Sequence, residues 1–454
     1  MRPMADPPRS SGAGEGAYWC ERAWLGGEEA EPGVLVGVAG DRIASVARAP
    51  SPPAGAARLD GLTVPGLANA HSHAFQRALR GRTHAGEGSF WTWREQMYGA
   101  LGRIDPDTYL ALARATFAEM ALAGITAVGE FHYVHHGPGG SRYADPNATG
   151  EAVIEAARQA GIRITLIDAC YLHGGIGREL DETQLRFSDG TAEAWAERVG
   201  QLGEGDGVRI GAAIHSVRAV DPAAAAEVAA WAAERGAPLH AHVSEQPAEN
   251  EDCLAEHGLT PTALLAEAGA LTDRFTAIHA THLSEDDFNL LGDSGVSVCL
   301  CPSTERDLAD GVGPARRLSA AGAGLCLGSD SNALIDLIEE ARAVEMDERL
   351  VTGVRGNHSA AELLRAATSA GHAAIGWPQA GRIEPGAIAD LVTVGFDSPR
   401  MAGTPAEIAS VVFAGAAADV RGVICGGREI VRDGRHVSID AVAELEAAIG
   451  SVTR

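Results

Sequence analysis

Two hydrophobic periods alternate along this chain, and their order predicts its architecture. Near the N-terminus, Gly33-Val34-Leu35-Val36-Gly37-Val38 and Arg42-Ile43-Ala44-Ser45-Val46 flank Ala39-Gly40-Asp41, a hairpin signal. Similar runs return late in the chain: residues 390–394, 410–413, 422–425 and, past the turn Gly426-Gly427, 428–431 read as strands. Strands at both ends predict a small β-sandwich domain built from both termini. Between them, eight apolar runs finish in polar residues. They end at His71-Ser72-His73, Glu130-Phe131-His132-Tyr133, Asp168-Ala169-Cys170-Tyr171, His215-Ser216-Val217-Arg218, His240-Ala241-His242, His279-Ala280-Thr281-His282, Cys299-Leu300-Cys301-Pro302 and Gly328-Ser329-Asp330. Helical stretches separate them, such as 106–123 and 222–235, the second introduced by the cap Asp221-Pro222. Helix-separated strands imply a parallel sheet, and eight of them favour a closed (β/α)8 TIM-like barrel over an open doubly wound sheet. The fold class is therefore α/β. The expected parts are a disordered tail over 1–16, the first portion of the β-sandwich over 17–64, the barrel over 65–377, and the rest of the sandwich with a terminal helix over 378–454.

In such a barrel the C-terminal strand ends carry the active site. His71 and His73 end the apolar run 62–70, and residues two apart on a strand face the same way. His242 ends the fifth barrel strand and Asp330 the eighth. Three imidazoles and a carboxylate suit one divalent metal, with Zn²⁺ preferred and Fe²⁺ or Mn²⁺ as alternatives. Glu245, three residues past His242, is placed to shuttle protons; its bland alternative is a helix-start glutamate favoured by the dipole. His279 reads as a base acting with Asp330 or a further ligand, against a structural histidine. His240 is expected behind the ligands, and His282 to be structural. His132, His135 and His136 read as a surface cluster.

Composition narrows the chemistry. The 454 residues are 46% hydrophobic, enough for a large core, and contain no apolar run long enough for a membrane helix. Residues 1–16 lack the apolar centre of a signal peptide. A net charge of -25 argues against a nucleic-acid surface. Seven scattered cysteines fit a reduced, cytoplasmic protein. The chain contains no lysine at all. That excludes Schiff-base chemistry, a lysine-bearing phosphate loop and a carbamylated lysine bridging two metals, leaving one metal as the economical reading.

These residues resemble the amidohydrolase superfamily over nearly the whole chain, including the turn-to-strand string Gly381-Arg382-Ile383-Glu384-Pro385-Gly386-Ala387-Ile388-Ala389-Asp390-Leu391. A narrower resemblance is to the formimidoylglutamate deiminases of histidine degradation. It rests on His71-Ser72-His73-Ala74-Phe75-Gln76-Arg77-Ala78, Ser89-Phe90-Trp91-Thr92-Trp93-Arg94-Glu95, Phe131-His132-Tyr133-Val134-His135-His136 and His215-Ser216-Val217-Arg218-Ala219. The resemblance implies hydrolysis of N-formimidoyl-L-glutamate to N-formyl-L-glutamate and ammonia, by a homodimer. It further implies Arg94 and Arg218 as bidentate carboxylate partners, with Gln76, Tyr133 and His215 completing the grip. Trp91 and Trp93 read as packing. The alternatives are a mononuclear deaminase for a nucleobase or another formimidoyl amino acid, and a barrel scaffold without catalysis.

Overall fold

A computed structural model describes residues 16–83 and 90–453; of residues 90–92, 94 and 95 it describes the backbone alone. The chain begins with β1 (Gly16–Ala23), β2 (Glu31–Ala39), β3 (Arg42–Arg48) and β4 (Ala57–Pro65). It continues into β5 (Leu67–Ser72), β6 (Ile125–His132), β7 (Arg163–Cys170), β8 (Val208–Ser216), β9 (Leu239–Val243), β10 (Phe275–His279), β11 (Ser297–Leu300) and β12 (Gly324–Leu327). These eight form one parallel sheet in sequential order, with helices between successive strands, the architecture of the predicted barrel. Strands β5, β6, β7, β9 and β10 are buried along their whole length, which is why they read as unbroken apolar runs. The barrel closes between β5 and β12 through a parallel bridge at Ser72 and Asp330.

The terminal strands β13 (Leu391–Val394), β14 (Val420–Cys425), β15 (Arg428–Arg432) and β16 (Arg435–His436) join β1–β4 in a second eight-stranded sheet, ordered β16-β15-β14-β13-β4-β1-β2-β3. Cys20, Val34, Val36, Val38, Leu391 and Ile424 from both chain ends share one apolar core in it. Strand β1 is a pairing partner that carried no strong periodic signal.

Two details depart from the sequence reading. The apolar run 62–70 is divided between the two sheets, with the break at Gly66. A Cβ there would lie 2.2 Å from Thr126 Oγ1 and 2.7 Å from Asp390 Cβ, so only glycine lets the chain pass from one sheet to the other. Residues 410–413, read as a strand, belong to the helix Ile408–Ala414. Ile408, Val411 and Val412 are buried at helical spacing while Phe413 turns outward, and a four-residue apolar run does not distinguish the two periods.

Asp105 and Asp221 cap the helices Pro106–Leu122 and Pro222–Arg235 with their side chains, as their positions before proline suggest. The terminal helix Ala441–Thr453 packs on Pro106–Leu122 and is pinned there by an Arg114–Glu444 ion pair. All seven cysteines are buried and free. No described helix is long and apolar enough to cross a membrane.

The two sheets are joined by a buried charge pair. Arg163, opening β7, forms a two-pronged contact with Asp390, just before β13. The same carboxylate accepts from Thr126 Oγ1 at 3.1 Å and Gly426 N at 2.8 Å, and the Arg163 guanidinium stands 5.4 Å from the Trp377 ring centre. Burial alone would discourage both charges, but each holds the other ionised. Removing one partner strands the other, so Asp390→Ala should destabilise the fold by about 3–5 kcal/mol in chemical denaturation. The double replacement Arg163→Met with Asp390→Leu should recover much of that loss.

Candidate active site

Barrel closure determines where the metal-ligand candidates stand. Asp330 N donates to His71 O at 2.9 Å, and His73 N donates to Asp330 O at 2.9 Å. The backbone of the first and last barrel strands is thus stitched at the residues whose side chains face the centre. Asn69 reinforces the seam: its amide donates to Ser329 Oγ at 2.6 Å, and its carbonyl accepts from Ser329 N at 2.9 Å. Asn332 closes it from above with bonds to Ser72 Oγ and His73 O. A Cβ on Gly328 would sit 2.8 Å from the His71 Cβ, so the close approach of the two strands needs glycine.

The ligand atoms of His71, His73, His242 and Asp330 lie within 4.8 Å of one another, and all four residues are buried. Asp330 Oδ1 stands 3.2 Å from His71 Nε2 and 3.4 Å from His73 Nε2. Burial pushes the His71 imidazole down to about 3 and lowers His73 and His242, so all three are neutral at ordinary pH. His73 Nδ1 is 3.0 Å from Phe131 O and His242 Nδ1 is 2.8 Å from His215 O. Donation to those carbonyls leaves each Nε2 a free lone pair aimed at the centre. Neither nitrogen of His71 has a hydrogen-bond partner although the ring is buried. Neutral donors, oriented tautomers and an unsatisfied imidazole fit a divalent cation.

Glu245 follows β9 and lines the same cavity. Its Oε2 accepts from Arg218 Nη2 at 2.7 Å, and its Oε1 lies 3.9 Å from His279 Nε2. His279 Nε2 is also 3.7 Å from Asp330 Oδ2, while its Nδ1 is 3.4 Å from Glu305 Oε1. Burial opposes protonation of His279, but Glu305, Glu245 and Asp330 together outweigh it and push the imidazole up to about 10. Glu249 and Glu305 were not singled out from sequence. Glu249 is buried, faces Arg218 Nε at 3.5 Å, and accepts from Ser244 N and Glu245 N, fixing the turn that presents Glu245. Glu305 accepts from Cys301 N at 2.9 Å and orients His279. Their only sequence signal was a carboxylate one helical turn past a strand end, a common pattern.

Ser244, His279, Ala280, Asp330 and Asn332 all adopt positive φ, between 45° and 69°. Each such non-glycine residue costs roughly 1–3 kcal/mol, and here they cluster where β9, β10 and β12 hand over to the site.

A cavity of about 450 Å³ opens over His73, His242 and Asp330, with His71 buried beneath them. Gln76, Tyr133, His215 and Arg218 all line it, together with Glu245. Gln76 Nε2 donates to Tyr133 Oη at 3.2 Å. Trp93, read as packing, also lines the cavity, on the helix Phe90–Leu101. The side chains of Arg94 and Trp91 lie outside the described residues, as does most of the 81–89 loop. His240 is buried behind the ligands, with Nε2 3.1 Å from Ala374 O. His282 is structural, its Nε2 2.7 Å from Asp310 O. The surface reading of His132, His135 and His136 is corrected, because all three are buried. His135 bonds to Ala169 O and His136 to Asp189, so their ring atoms satisfy a buried network. Asp168, beside His132 and His135, is already engaged by Arg198 and Trp195, which partly neutralise it.

Residues 62–430 match the amidohydrolase family. Formimidoylglutamate deiminase of Pseudomonas aeruginosa is 39% identical over 398 residues, 84% of this chain and 87% of that protein. A 5-methylthioadenosine/S-adenosylhomocysteine deaminase of Halobacterium salinarum is 31% identical over 392 residues, 85% of each chain. The crystal structure of an amidohydrolase from Brucella melitensis superposes with a TM-score of 0.88 at 33% identity, covering 97% of this chain and 100% of that one. A zinc-bound adenosine deaminase structure from Xanthomonas campestris shares the fold, with a TM-score of 0.84 at 24% identity over 98% of both chains.

The donor geometry makes a direct prediction. Purified protein should carry stoichiometric divalent metal by elemental analysis. His71→Ala should lose it on dialysis, whereas His240→Ala, behind the donors, should retain it.

Proposed function

The chain belongs to the amidohydrolase family and is a hydrolase acting on C–N bonds, and on that premise we propose that it hydrolyses N-formimidoyl-L-glutamate to N-formyl-L-glutamate and ammonia in histidine degradation. One observation carries this reading: His73, His242 and Asp330 of the metal-ligand set, Glu245 and the carboxylate-binding candidate Arg218 line a single cavity. The 39% identity to a formimidoylglutamate deiminase supports the same substrate. A catalytically silent scaffold would need none of these groups.

His71, His73, His242 and Asp330 would hold a divalent ion, which we take as Zn²⁺; it would supply Lewis acidity that makes water nucleophilic near neutral pH and would disfavour protonation of His279. The chain's own residues do the rest. His279 Nε2, backed by Asp330, takes the proton of the attacking water. The water oxygen bonds to the formimidoyl carbon, already electrophilic because the amidine is protonated. Glu245, a carboxylate at the outset, takes the remaining hydroxyl proton of the adduct and passes it to the terminal nitrogen; the C–N bond breaks, ammonia departs and the formyl amide remains. Arg218, with Arg94 as the other candidate, holds the substrate carboxylates while Gln76, Tyr133 and His215 fix the chain between them. Holding the carbon at attack distance can contribute on the order of 7–11 kcal/mol at best.

Nucleoside deaminases among the relatives motivate a second reading, with a nucleobase as substrate. The Arg218 guanidinium on the cavity wall is the feature that favours the dicarboxylate.

The test is ammonia release by zinc-loaded protein from N-formimidoyl-L-glutamate, with N-formimidoyl-L-aspartate and adenosine alongside. Rapid release from the glutamate compound alone is expected; release from adenosine alone would transfer the site to the second reading. Glu245→Gln should retain metal and lose turnover by about 10²–10⁴-fold, the usual contribution of a general acid–base group. Full activity in that variant would remove Glu245 from the mechanism.

A further inference from the structure

One carboxylate outside the four-donor set arranges a second group of donor atoms. Glu305 Oε1 accepts from Cys301 N at 2.9 Å and stands 3.4 Å from His279 Nδ1. It thereby fixes two residues at the ends of neighbouring strands, β10 and β11. A nitrogen of His279, the Cys301 sulfur and a carboxylate oxygen of Asp330 lie within 4.8 Å of one another. The same span gathers the donors of His71, His73, His242 and Asp330. His279 and Cys301 are wholly buried, and Asp330 is nearly so.

Each donor is prepared to bind. With its Nδ1 proton given to Glu305, His279 keeps a lone pair on Nε2, and that buried nitrogen has no hydrogen-bond partner. His73 and His242 are prepared in the same way, with a backbone carbonyl in place of the carboxylate. Asp330 turns its two oxygens to different groups. Its Oδ1 faces His71 and His73, while its Oδ2 lies 3.7 Å from His279 Nε2. The Cys301 sulfur is packed against the seam that closes the barrel: a Cβ on Gly328 would stand 3.0 Å from it and 2.8 Å from the His71 Cβ. Glu245 Oε1, 3.9 Å from His279 Nε2, adds a further negative charge beside the group.

We propose that His279, Cys301 and Asp330 form a second cation site, which takes a borderline-soft divalent ion such as Zn²⁺ or Cd²⁺ when that ion is in excess, and which inhibits the enzyme. Thiolate and imidazole select these ions over Mg²⁺ and Ca²⁺, which prefer oxygen. Binding displaces the Cys301 thiol proton to solvent, and Asp330 bridges the two ions through its separate oxygens. The arrangement needs no bridging lysine, which this chain lacks. Repulsion from the first ion makes the second site the weaker of the two. Its occupancy ties up the His279 Nε2 lone pair that the attacking water requires. That inhibitory consequence rests on the function proposed above; the site itself does not.

The experiment titrates zinc-loaded wild-type protein, Cys301→Ser, Cys301→Ala and Cys299→Ser with Cd²⁺. It follows the ultraviolet charge-transfer band of a cadmium–thiolate bond and ammonia release from N-formimidoyl-L-glutamate. Cd²⁺ that merely replaces zinc among nitrogen and oxygen donors gives no such band. In the wild type the band should grow to saturation while turnover falls about 10²-fold, as expected when a general base is disabled. Both Cys301 variants should keep the resident zinc and lose both responses. Cys299→Ser should keep both, although the Cys299 thiol is in hydrogen-bond contact with those of Cys301 and Cys326. No band in the wild type overturns the assignment, as does a band that survives in the Cys301 variants or is lost with Cys299. Cadmium-edge X-ray absorption of the wild type decides without any variant: sulfur together with nitrogen and oxygen neighbours supports the site, whereas no sulfur, or a shell of sulfur alone, overturns it. Should the wild type release no ammonia even before Cd²⁺ is added, the proposed function falls, while the band and the absorption spectrum still decide the cation site.

Discussion

The short seam between β5 and β12 is the interaction on which the rest depends. Two backbone hydrogen bonds, both at 2.9 Å, join His71 and His73 to Asp330 and bring the first and last barrel strands into contact. The residues that close the barrel are the residues that offer donor atoms, so closure and site assembly are one event. The side chains of Asn69, Ser329 and Asn332 are spent on that seam, and the absent Cβ of Gly328 permits it. A donor displaced here would alter the barrel, and a slipped strand would dismantle the donor set.

Around the seam the structure accepts costs that a simple core would avoid. Five non-glycine residues in left-handed backbone, a carboxylate at Glu130 pushed up to about 8 by burial, and the triangle of Arg218, Glu245 and Glu249 all lie at the strand ends. Each is tolerated because neighbouring elements hold it. Glu130 accepts from Ala74 N at 2.6 Å and steadies the chain just past His73. Glu249 holds the turn of Glu245, and Glu305 holds the ring of His279. The distant Arg163–Asp390 pair contributes the complementary rigidity, locking the terminal sheet against the start of β7, away from the chemistry.

Much of this was legible in the sequence, for identifiable reasons. Buried parallel strands write themselves as apolar runs, and the polar residues that end them stand out against that background, which is how His71, His73, His242 and Asp330 could be grouped before any coordinates. Asp390, noticed only as part of a turn-to-strand string, turned out to join the two sheets. Other features left weak traces. The four apolar residues 410–413 fit either period, and tertiary packing made them helical. His135 and His136 looked like surface residues because their partners, Ala169 O and Asp189, are far along the chain. Glu249 and Glu305 act by holding other residues, and no spacing rule marks such a role.

The seam also bears on how the molecule comes into being. A ribosome delivers His71 and His73 on the first barrel strand long before Asp330 on the last. Until Asp330 emerges, the nascent chain holds histidines that lack both their carboxylate companion and the backbone contact that orients them. The four donors are therefore brought together only once the barrel is synthesised to its end, and an intact donor set marks a molecule whose circle has closed.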